Sequence, residues 1–237
     1  MSPFLAVLYE ASHLTMKKVK ILLEYLEKQF KRRSIEIHYS NPLELLVATI
    51  LSAQCTDQRV NQVTPTLFKK YPAAQDYAKA DLHTLEQEIR PTGFYRAKAR
   101  NIIRCCQQLA EKYHGQVPET LAELVALPGV WRKTANVILG NCYGRPAIVV
   151  DTHVKRVSQR LGLTRSEDPD VIEQDLAMIL PQERWTEASH QLLLHGRYVC
   201  KAKRPLCSQC GLYNICTWKD KSKIRFDGKN LSSHIKR

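Results

Sequence analysis

The spacing of apolar residues constrains the fold most, because they recur every three or four positions along nearly the whole chain. Alternating apolar and polar runs, which would indicate strands, are almost absent. The fold class predicted from this pattern is all-α. Helices are expected over residues 16–33, 42–54, 58–71, 94–115, 118–126, 132–143, 151–161, 169–180 and 183–199, with a short segment near 74–90 before the helix 94–115.

Capping residues mark several helix starts. Asn41 followed by Pro42 is a typical N-terminal signal, and Asp57 and Asp151 can each cap the helix that follows them. The stretch LPGVW, ending at Trp131, predicts a hairpin between helices and therefore a helix-hairpin-helix over 118–143. Gly129 allows a sharp turn. The amides at the second helix's start, with Arg132 beside them, then form an anion site suited to one DNA phosphate.

The charge balance favours a polyanionic partner. The chain of 237 residues has 36 Lys+Arg against 23 Asp+Glu, a formal net charge of +13. Such a surface attracts nucleic acid, although a merely soluble basic surface is the alternative. The apolar runs are too short to span a membrane, and the start lacks a secretory signal. We expect a cytoplasmic protein, associated with the nucleoid if prokaryotic, without a membrane partner.

The two ends of the chain are expected to lie outside the folded domains. Met16 resembles an alternative start, so residues 1–15 are predicted to be a poorly ordered N-terminal extension. Residues 219–237 form a basic tail with few apolar residues, which predicts no fixed fold. A phosphate-contacting arm and a solubilising tail are both open for it.

Four cysteines cluster near the C-terminus. Cys200, Cys207, Cys210 and Cys216 follow the spacing C-x6-C-x2-C-x5-C, which differs from the paired spacing of zinc ribbons and suits a cubane iron–sulfur cluster better. Free structural thiols are the alternative. A cytoplasmic chain is not expected to use its eight cysteines as a disulfide framework. The other four, Cys55, Cys105, Cys106 and Cys142, are predicted to pack on apolar helical faces.

Basic residues surround the first of these cysteines. Lys201, Lys203 and Arg204 occupy the loop after Cys200 and predict a rigid platform for DNA phosphates. An electron carrier is the rival interpretation of the cluster, but such a protein would have no need of the hairpin.

Lys133 stands near the positive end of its helix, beside Arg132, where a cation is normally disfavoured. With partial desolvation, this setting predicts a lowered lysine pKa and therefore a nucleophilic amine. Asp151 can accept a proton, orient the lysine and stabilise positive charge on a sugar. A surface lysine and a simple helix cap are the structural alternatives.

The segment LPGVWRKTANVILGNCYGRPAIVVDTHVKRV, together with HGRYVC and the cysteine pattern, resembles endonuclease III, in the iron–sulfur branch of the helix-hairpin-helix DNA glycosylase superfamily. LLVATILSAQCTDQRVN and GFYRAKARNII are also similar, so the resemblance covers about residues 17–218. It implies a bifunctional DNA glycosylase and abasic-site lyase that removes oxidised pyrimidines. In that family a lysine attacks the deoxyribose C1′, forms a Schiff base and cuts on the 3′ side. Lys133 and Asp151 match the catalytic pair.

The resemblance also implies an architecture and further site residues. A six-helix barrel with the hairpin would span 35–145, and a second domain of 16–34 and 146–218 would hold one [4Fe-4S] cluster, with the active site in the cleft between them. The partner would be double-stranded DNA with damaged pyrimidines or abasic sites, bound by a monomer. Gln54 and Phe94 match residues that fill the gap left by the flipped nucleotide. Ser52, Asp57 and His153 match positions near the pocket, where a capping or core role is equally open.

One departure and several rivals accompany this resemblance. Trp131 stands where the family usually has glycine, so phosphate binding, lyase efficiency or lesion preference is expected to differ. An adenine glycosylase is disfavoured because ILSAQCTDQ lacks that branch's glutamate. A thymine or uracil mismatch glycosylase typically lacks the lysine. A non-catalytic sensor of DNA damage would use the hairpin and the cluster only for binding.

Overall fold

The computed structural model describes residues 3–31 and 35–223, with side chains from residue 16 onward. All regular elements within these ranges are helical, which confirms the all-α prediction, and no helix there is both long and apolar enough to cross a membrane. The α-helices are α1 Pro3–Gln29, α2 Pro42–Ser52, α3 Asp57–Lys70, α4 Ala74–Ala78, α5 Leu82–Ile89, α6 Tyr95–Lys112, α7 Leu121–Val125, α8 Arg132–Cys142, α9 Thr152–Leu161, α10 Pro169–Ile179 and α11 Trp185–Tyr198.

Internal contacts divide the chain into two compact units. We call Arg33–Val149 the hairpin unit, and Met1–Arg32 together with Val150–Arg237 the cysteine unit. Each unit has its own core and is described separately.

The hairpin unit is built around α2, whose residues 43 and 45–51 are all buried. The helix begins as predicted, because the Asn41 Oδ1 accepts a hydrogen bond of 2.9 Å from the Glu44 amide and Pro42 occupies the first turn. α2 packs against α3, α6 and α8, and α6 packs against α4 and α5. Cys105 and Cys106 of α6 are buried in this core, as predicted, and Cys142 is half-buried on α8.

Two expectations for this unit are wrong. The cap of α3 is Thr56, whose hydroxyl accepts from the Arg59 amide, and Asp57 is the first helical residue. Cys55 lies in the turn after α2, not on a helix. The short segment predicted near 74–90 contains two helices, α4 and α5, because the Asp81 carboxylate accepts from the Thr84 amide at 2.8 Å and starts the second.

In the cysteine unit, α1 packs against α10 and α11, and α9 packs against α11. The core between them contains fully buried Leu22, Leu26, Val154 and Leu192. The Lys18 ammonium donates to the Leu161 carbonyl at the end of α9, where a cation complements the negative helix end.

Regular structure occurs near both ends of the chain within the described residues. The backbone of residues 3–15 is helical as part of α1, which ends at Gln29. Lys219–Lys223 form a 3-10 turn, so this part of the tail has a defined fold. The Lys221 ammonium fastens it by donating to the carbonyls of Tyr213 and Cys216 at 2.7 and 2.6 Å. Residues 224–237 of the tail lie outside the described residues.

Candidate DNA-binding and catalytic site

The hairpin between α7 and α8 depends on glycine at position 129. Gly129 has a φ of +76°, a left-handed conformation that disfavours other residues. A Cβ atom there would lie 2.7 Å from the Asn101 Cβ of α6, well inside contact distance. Leu127 and Val130 are buried on either side, and the Val130 amide donates to the Leu127 carbonyl at 3.1 Å. The turn is therefore rigid and seated on α6.

The start of α8 is open to an anion. Its N-cap, Trp131, makes no side-chain capping bond, and the first turn carries no acidic residue. The indole is 79% exposed, so it does not fold back over the helix end. Trp131 has a φ of −97°, which any residue adopts, so the backbone does not require the family's glycine here. The amides of the first turn are thus not covered by the N-cap side chain.

Lys133 follows in the first turn of α8 and is exposed. The buried face of the helix, from Thr134 to Leu139, fixes its orientation. The expected partial desolvation of the lysine is wrong for this structure, because the protein does not bury the side chain. A bound substrate would have to exclude water from the amine.

Asp151 caps α9, as predicted. Its Oδ1 accepts from the amides of His153 and Val154 at 2.9 and 2.8 Å, which fixes the carboxylate at the positive end of the helix. The next turn carries Arg156, whose guanidinium lies 3.1 Å from the His153 Nδ1 and donates to the Gly196 carbonyl. Burial lowers the pKa of Arg156; the nearby Cys200 and Asp151 oppose that shift, and Arg160 adds to it. His153 is therefore held, half-buried, against α9.

The two residues predicted to fill the gap in the duplex share an unusual backbone. Gln54 and Phe94 have φ angles of 52° and 49°, and both side chains are exposed. Among the described residues, four non-glycine residues have positive φ, and three of them, including Arg204, are predicted DNA contacts; the fourth is His114. Such conformations cost roughly 1–2 kcal/mol each and tend to occur at functional sites.

A buried lysine lies behind these two residues and was not predicted. Lys98 is 4% exposed, and its Nζ lies 2.8 Å from the Leu51 carbonyl and 2.8 Å from the Thr92 carbonyl. Burial lowers its pKa, and Cys55 opposes that shift. The helical periodicity of the sequence indicates that Lys98 is buried, because it lies on the same face of α6 as the buried residues Ile102, Cys105 and Leu109.

Ser52 and Asp57 are the other two residues predicted to lie near the pocket. The Ser52 hydroxyl donates to the Thr49 carbonyl at 2.8 Å, a local helix bond. Asp57 is half-buried and lines a shallow groove with Glu36, His38 and Asn61. Nothing in these contacts assigns either side chain to a pocket.

The four predicted metal-ligating cysteines line one cavity of about 380 Å³, counting the space at its open mouth. All four are free thiols. Burial is the main cause that raises the pKa of Cys210 to about 11; a backbone hydrogen bond at Leu212 opposes the shift, and the nearby Cys200, Cys216 and Cys207 add to it. Within the described residues, no group of three or more His, Cys, Asp or Glu is arranged to hold a metal ion.

Polar groups surround this cavity. The Arg160 guanidinium donates to the Cys200 Sγ at 3.4 Å and lies 4.0 Å from the centroid of the Trp218 ring. The His195 Nε2 lies 3.7 Å from the Cys210 Sγ, and burial lowers the pKa of His195 to about 4. Donors directed at thiolate sulfurs are a common second layer around iron–sulfur clusters.

Hydrogen bonds from two arginines hold the backbone of the basic loop after Cys200. Arg160 donates to the Lys201 carbonyl at 2.9 Å, Arg156 donates to the Cys200 carbonyl at 3.1 Å, and Pro205 is buried. Lys201, Lys203 and Arg204 are all exposed. The loop backbone is fixed while the three cations face solvent, and their contact with DNA phosphates stays a prediction.

Comparison with known proteins gives the family. Residues 47–182 match the model of the HhH-GPD superfamily base excision DNA repair proteins. Endonuclease III of Synechocystis is 50% identical over 82% of this chain and 90% of its own length, and that of Bacillus subtilis is 46% identical over 86% and 93%. A trapped endonuclease III–DNA covalent intermediate matches with a TM-score of 0.83 and 46% identity, covering 88% of this chain and 97% of that one. The chain therefore belongs to the endonuclease III family of base excision DNA repair proteins.

Proposed function

We propose that Lys133 and Asp151 carry the chemistry of this base excision repair enzyme, a bifunctional DNA glycosylase and abasic-site lyase, and that its substrates are oxidised pyrimidines. The observation that carries the proposal is the position of Lys133. It is an exposed amine in the first turn of α8, directly after a hairpin whose helix end lacks a side-chain cap. A phosphate bound by that helix end would place the sugar–phosphate backbone beside the amine.

The DNA contacts follow from the exposed cations and the helix end. The amides of α8 would bind one phosphate without reading base sequence, with Arg132 beside them. Lys201, Lys203 and Arg204 would bind further phosphates of the same duplex. We propose double-stranded DNA with a damaged pyrimidine or an abasic site as the partner, bound by a monomer in the cytoplasm.

Gln54 and Phe94 would act on the duplex itself. The target sugar cannot be reached inside a stacked helix, so its nucleotide must leave the stack. Both side chains are exposed on turns whose strained backbone directs them outward. We assign Gln54 to the gap left by the flipped nucleotide and Phe94 to the stack beside it. Ser52, Asp57 and His153 stay candidates for contacts near the pocket.

The reaction uses one amine and one carboxylate. The Lys133 Nζ in its neutral form attacks C1′, the bond from C1′ to the base nitrogen breaks, and the departing base keeps the electron pair and takes a proton from water. The attached amine passes a proton to Asp151, the C1′–O4′ bond breaks, O4′ takes that proton from Asp151, and a protonated Schiff base remains between Nζ and C1′. Loss of a C2′ proton breaks the bond from C3′ to the phosphate oxygen and cuts the strand on the 3′ side. Asp151 would accept the lysine's proton and stabilise positive charge on the sugar.

Cys200, Cys207, Cys210 and Cys216 would hold one [4Fe-4S] cluster. The fit rests on the four free thiols that line one cavity and on the Arg160 donor to Cys200. When bound, the cluster would supply four thiolate–iron bonds that close the loop of residues 200–216 and support the basic platform. Substitution Cys210→Ser should lower both the iron content and the thermal stability of the purified protein. Full iron content in this variant would contradict the assignment.

The test of function compares base release with strand cleavage. The unaltered protein should release thymine glycol from a labelled duplex and cut the strand, and Lys133→Gln should do neither while still binding. Lys112→Gln, an equal change at an exposed lysine of α6, should keep both activities. Base release without cleavage would indicate a glycosylase without lyase chemistry, and release of thymine or uracil from a mismatched duplex instead would indicate a mismatch glycosylase. Binding without either reaction would indicate a damage sensor.

A further inference from the structure

We propose that Lys98 is a positioning residue that locks the turns of Gln54 and Phe94 to each other. The proposal rests on the proposed function, because it assigns Lys98 to the extrusion step. It concerns a side chain that has no access to DNA, since Lys98 is 4% exposed.

The geometry of Lys98 joins two separate segments. Its Nζ donates to the Leu51 carbonyl in the last turn of α2 and to the Thr92 carbonyl at the end of the turn Arg90–Thr92, both at 2.8 Å. Gln54 follows Leu51 by three residues, and Phe94 follows Thr92 by two. One ammonium group therefore fixes the backbone immediately before each of the two exposed, left-handed residues.

A lysine suits this position for a physical reason. The last carbonyls of a helix have no partner within it and lie at its negative end, so a cation both satisfies and stabilises them. An apolar side chain of the same length would leave the Leu51 and Thr92 carbonyls without this donor. Burying an ammonium is nevertheless expensive, and a buried charge is often retained for the geometry it imposes rather than for stability.

The same helix also supports the hairpin. Phe94 is the N-cap of α6, Lys98 lies in its first turns, and Asn101 lies one turn further, against Gly129. One helix of the hairpin unit, α6, therefore positions both strained turns and the hairpin. A displacement on the order of 1 Å in such positioning groups can lower a rate about a hundredfold.

The first test is a double-mutant cycle on an abasic duplex, with the single-turnover rate of Schiff-base trapping as the readout. We expect Lys98→Met to slow trapping about tenfold, the loss typical of hydrogen bonds to a charged group, and Phe94→Ala also to slow it. Because Lys98 acts through the wedge, the double variant should be little slower than the slower single variant. Lys112→Met, the same change at an exposed position of α6, should trap at the unaltered rate.

Two outcomes of the cycle would overturn the proposal. The first is a trapping rate of Lys98→Met equal to that of the unaltered protein. The second is a double variant whose trapping rate is reduced by the product of the two single reductions, because this would show that Lys98 acts independently of Phe94. If Lys98→Met does not fold, Lys98→Gln replaces it, since its shorter amide cannot reproduce both bonds.

Hydrogen exchange tests the structural part without any activity. The amides of Cys55 and Gly93 donate within the two turns, to the Ser52 and Arg90 carbonyls at 3.0 and 3.2 Å. Both amides should exchange faster in Lys98→Met, while amides in the middle of α2 keep their protection. Unchanged exchange at Cys55 and Gly93 would refute the proposal. If the unaltered protein fails to trap DNA, the proposed function is refuted. The hydrogen-exchange rates of Cys55 and Gly93 then still test whether Lys98 fixes the two turns.

Discussion

Asp151 has a structural role as a helix cap and a proposed catalytic role, and substitutions can separate the two. Its Oδ1 caps α9 through the amides of His153 and Val154 at 2.9 and 2.8 Å, and its charge is assigned to catalysis. Asp151→Asn keeps an acceptor oxygen for the cap but removes the charge, whereas Asp151→Ala removes both. Loss of an N-cap costs about 1 kcal/mol, which corresponds to a fall in Tm of roughly 2–4 °C for a chain of this size.

The two substitutions should therefore differ in stability and agree in activity. Asp151→Asn should melt within about 1 °C of the unaltered protein, because asparagine caps as well as aspartate. Both variants should trap an abasic duplex about a hundredfold more slowly, since each has lost the group that accepts the proton and stabilises the sugar cation. Thermal unfolding and single-turnover trapping measure the two effects on the same samples.

Asp168 provides a matched control. It caps α10 in the same unit, accepting from the amides of Asp170 and Val171 at 2.8 and 3.4 Å, and it has no assigned catalytic role. Asp168→Ala should lower Tm, Asp168→Asn should not, and both should keep full activity. Full activity in Asp151→Asn would refute a catalytic charge at Asp151, and an equal loss of Tm in its Asn and Ala variants would refute the cap argument.

Three further predictions concern the hairpin and the core. Gly129→Ala should lower the free energy of unfolding by more than Gly144→Ala, because both have positive φ but only the former Cβ meets a neighbour within 4 Å; urea unfolding would compare them. Trp131→Gly should change Tm little, since the indole is 79% exposed, but alter DNA affinity in a binding titration; unaltered affinity would exclude Trp131 from the interface. Burial raises the pKa of Cys105 from 9.0 to about 12, so stability should fall between pH 9 and 12 as the unfolded thiol ionises first. Cys105 alone contributes a slope of about 1.4 kcal/mol per pH unit, so Cys105→Ala should flatten the decline by that amount, and an unchanged slope would contradict this cause.

The sequence was sufficient for elements that depend on local signals. Asn41 and Asp151 cap the helices they precede because a short polar side chain followed by a helical apolar pattern has few other uses. Thr56 and Asp57 show the limit of this reasoning, since both are good caps and lie next to each other. Asp81 was missed because a helical pattern on both sides concealed the break.

Tertiary features of the site could not be predicted in the same way. Gln54 and Phe94 adopt left-handed conformations that local sequence does not favour, so the surrounding fold must impose them. The two carbonyls that Lys98 binds lie 47 and 6 residues away in sequence. Lys133 was expected to be partly desolvated, and it is exposed, because burial of a side chain depends on the packing of distant segments.

The most direct test of the central claim identifies the residue that becomes attached to DNA. The protein is mixed with a duplex containing thymine glycol, reduced with borohydride and digested, and the adduct is located by peptide mass spectrometry. We expect a single adduct on the Nζ of Lys133, and none in Lys133→Gln. An adduct on another amine, such as Lys201 or Lys203, or trapping that persists in Lys133→Gln, would contradict it.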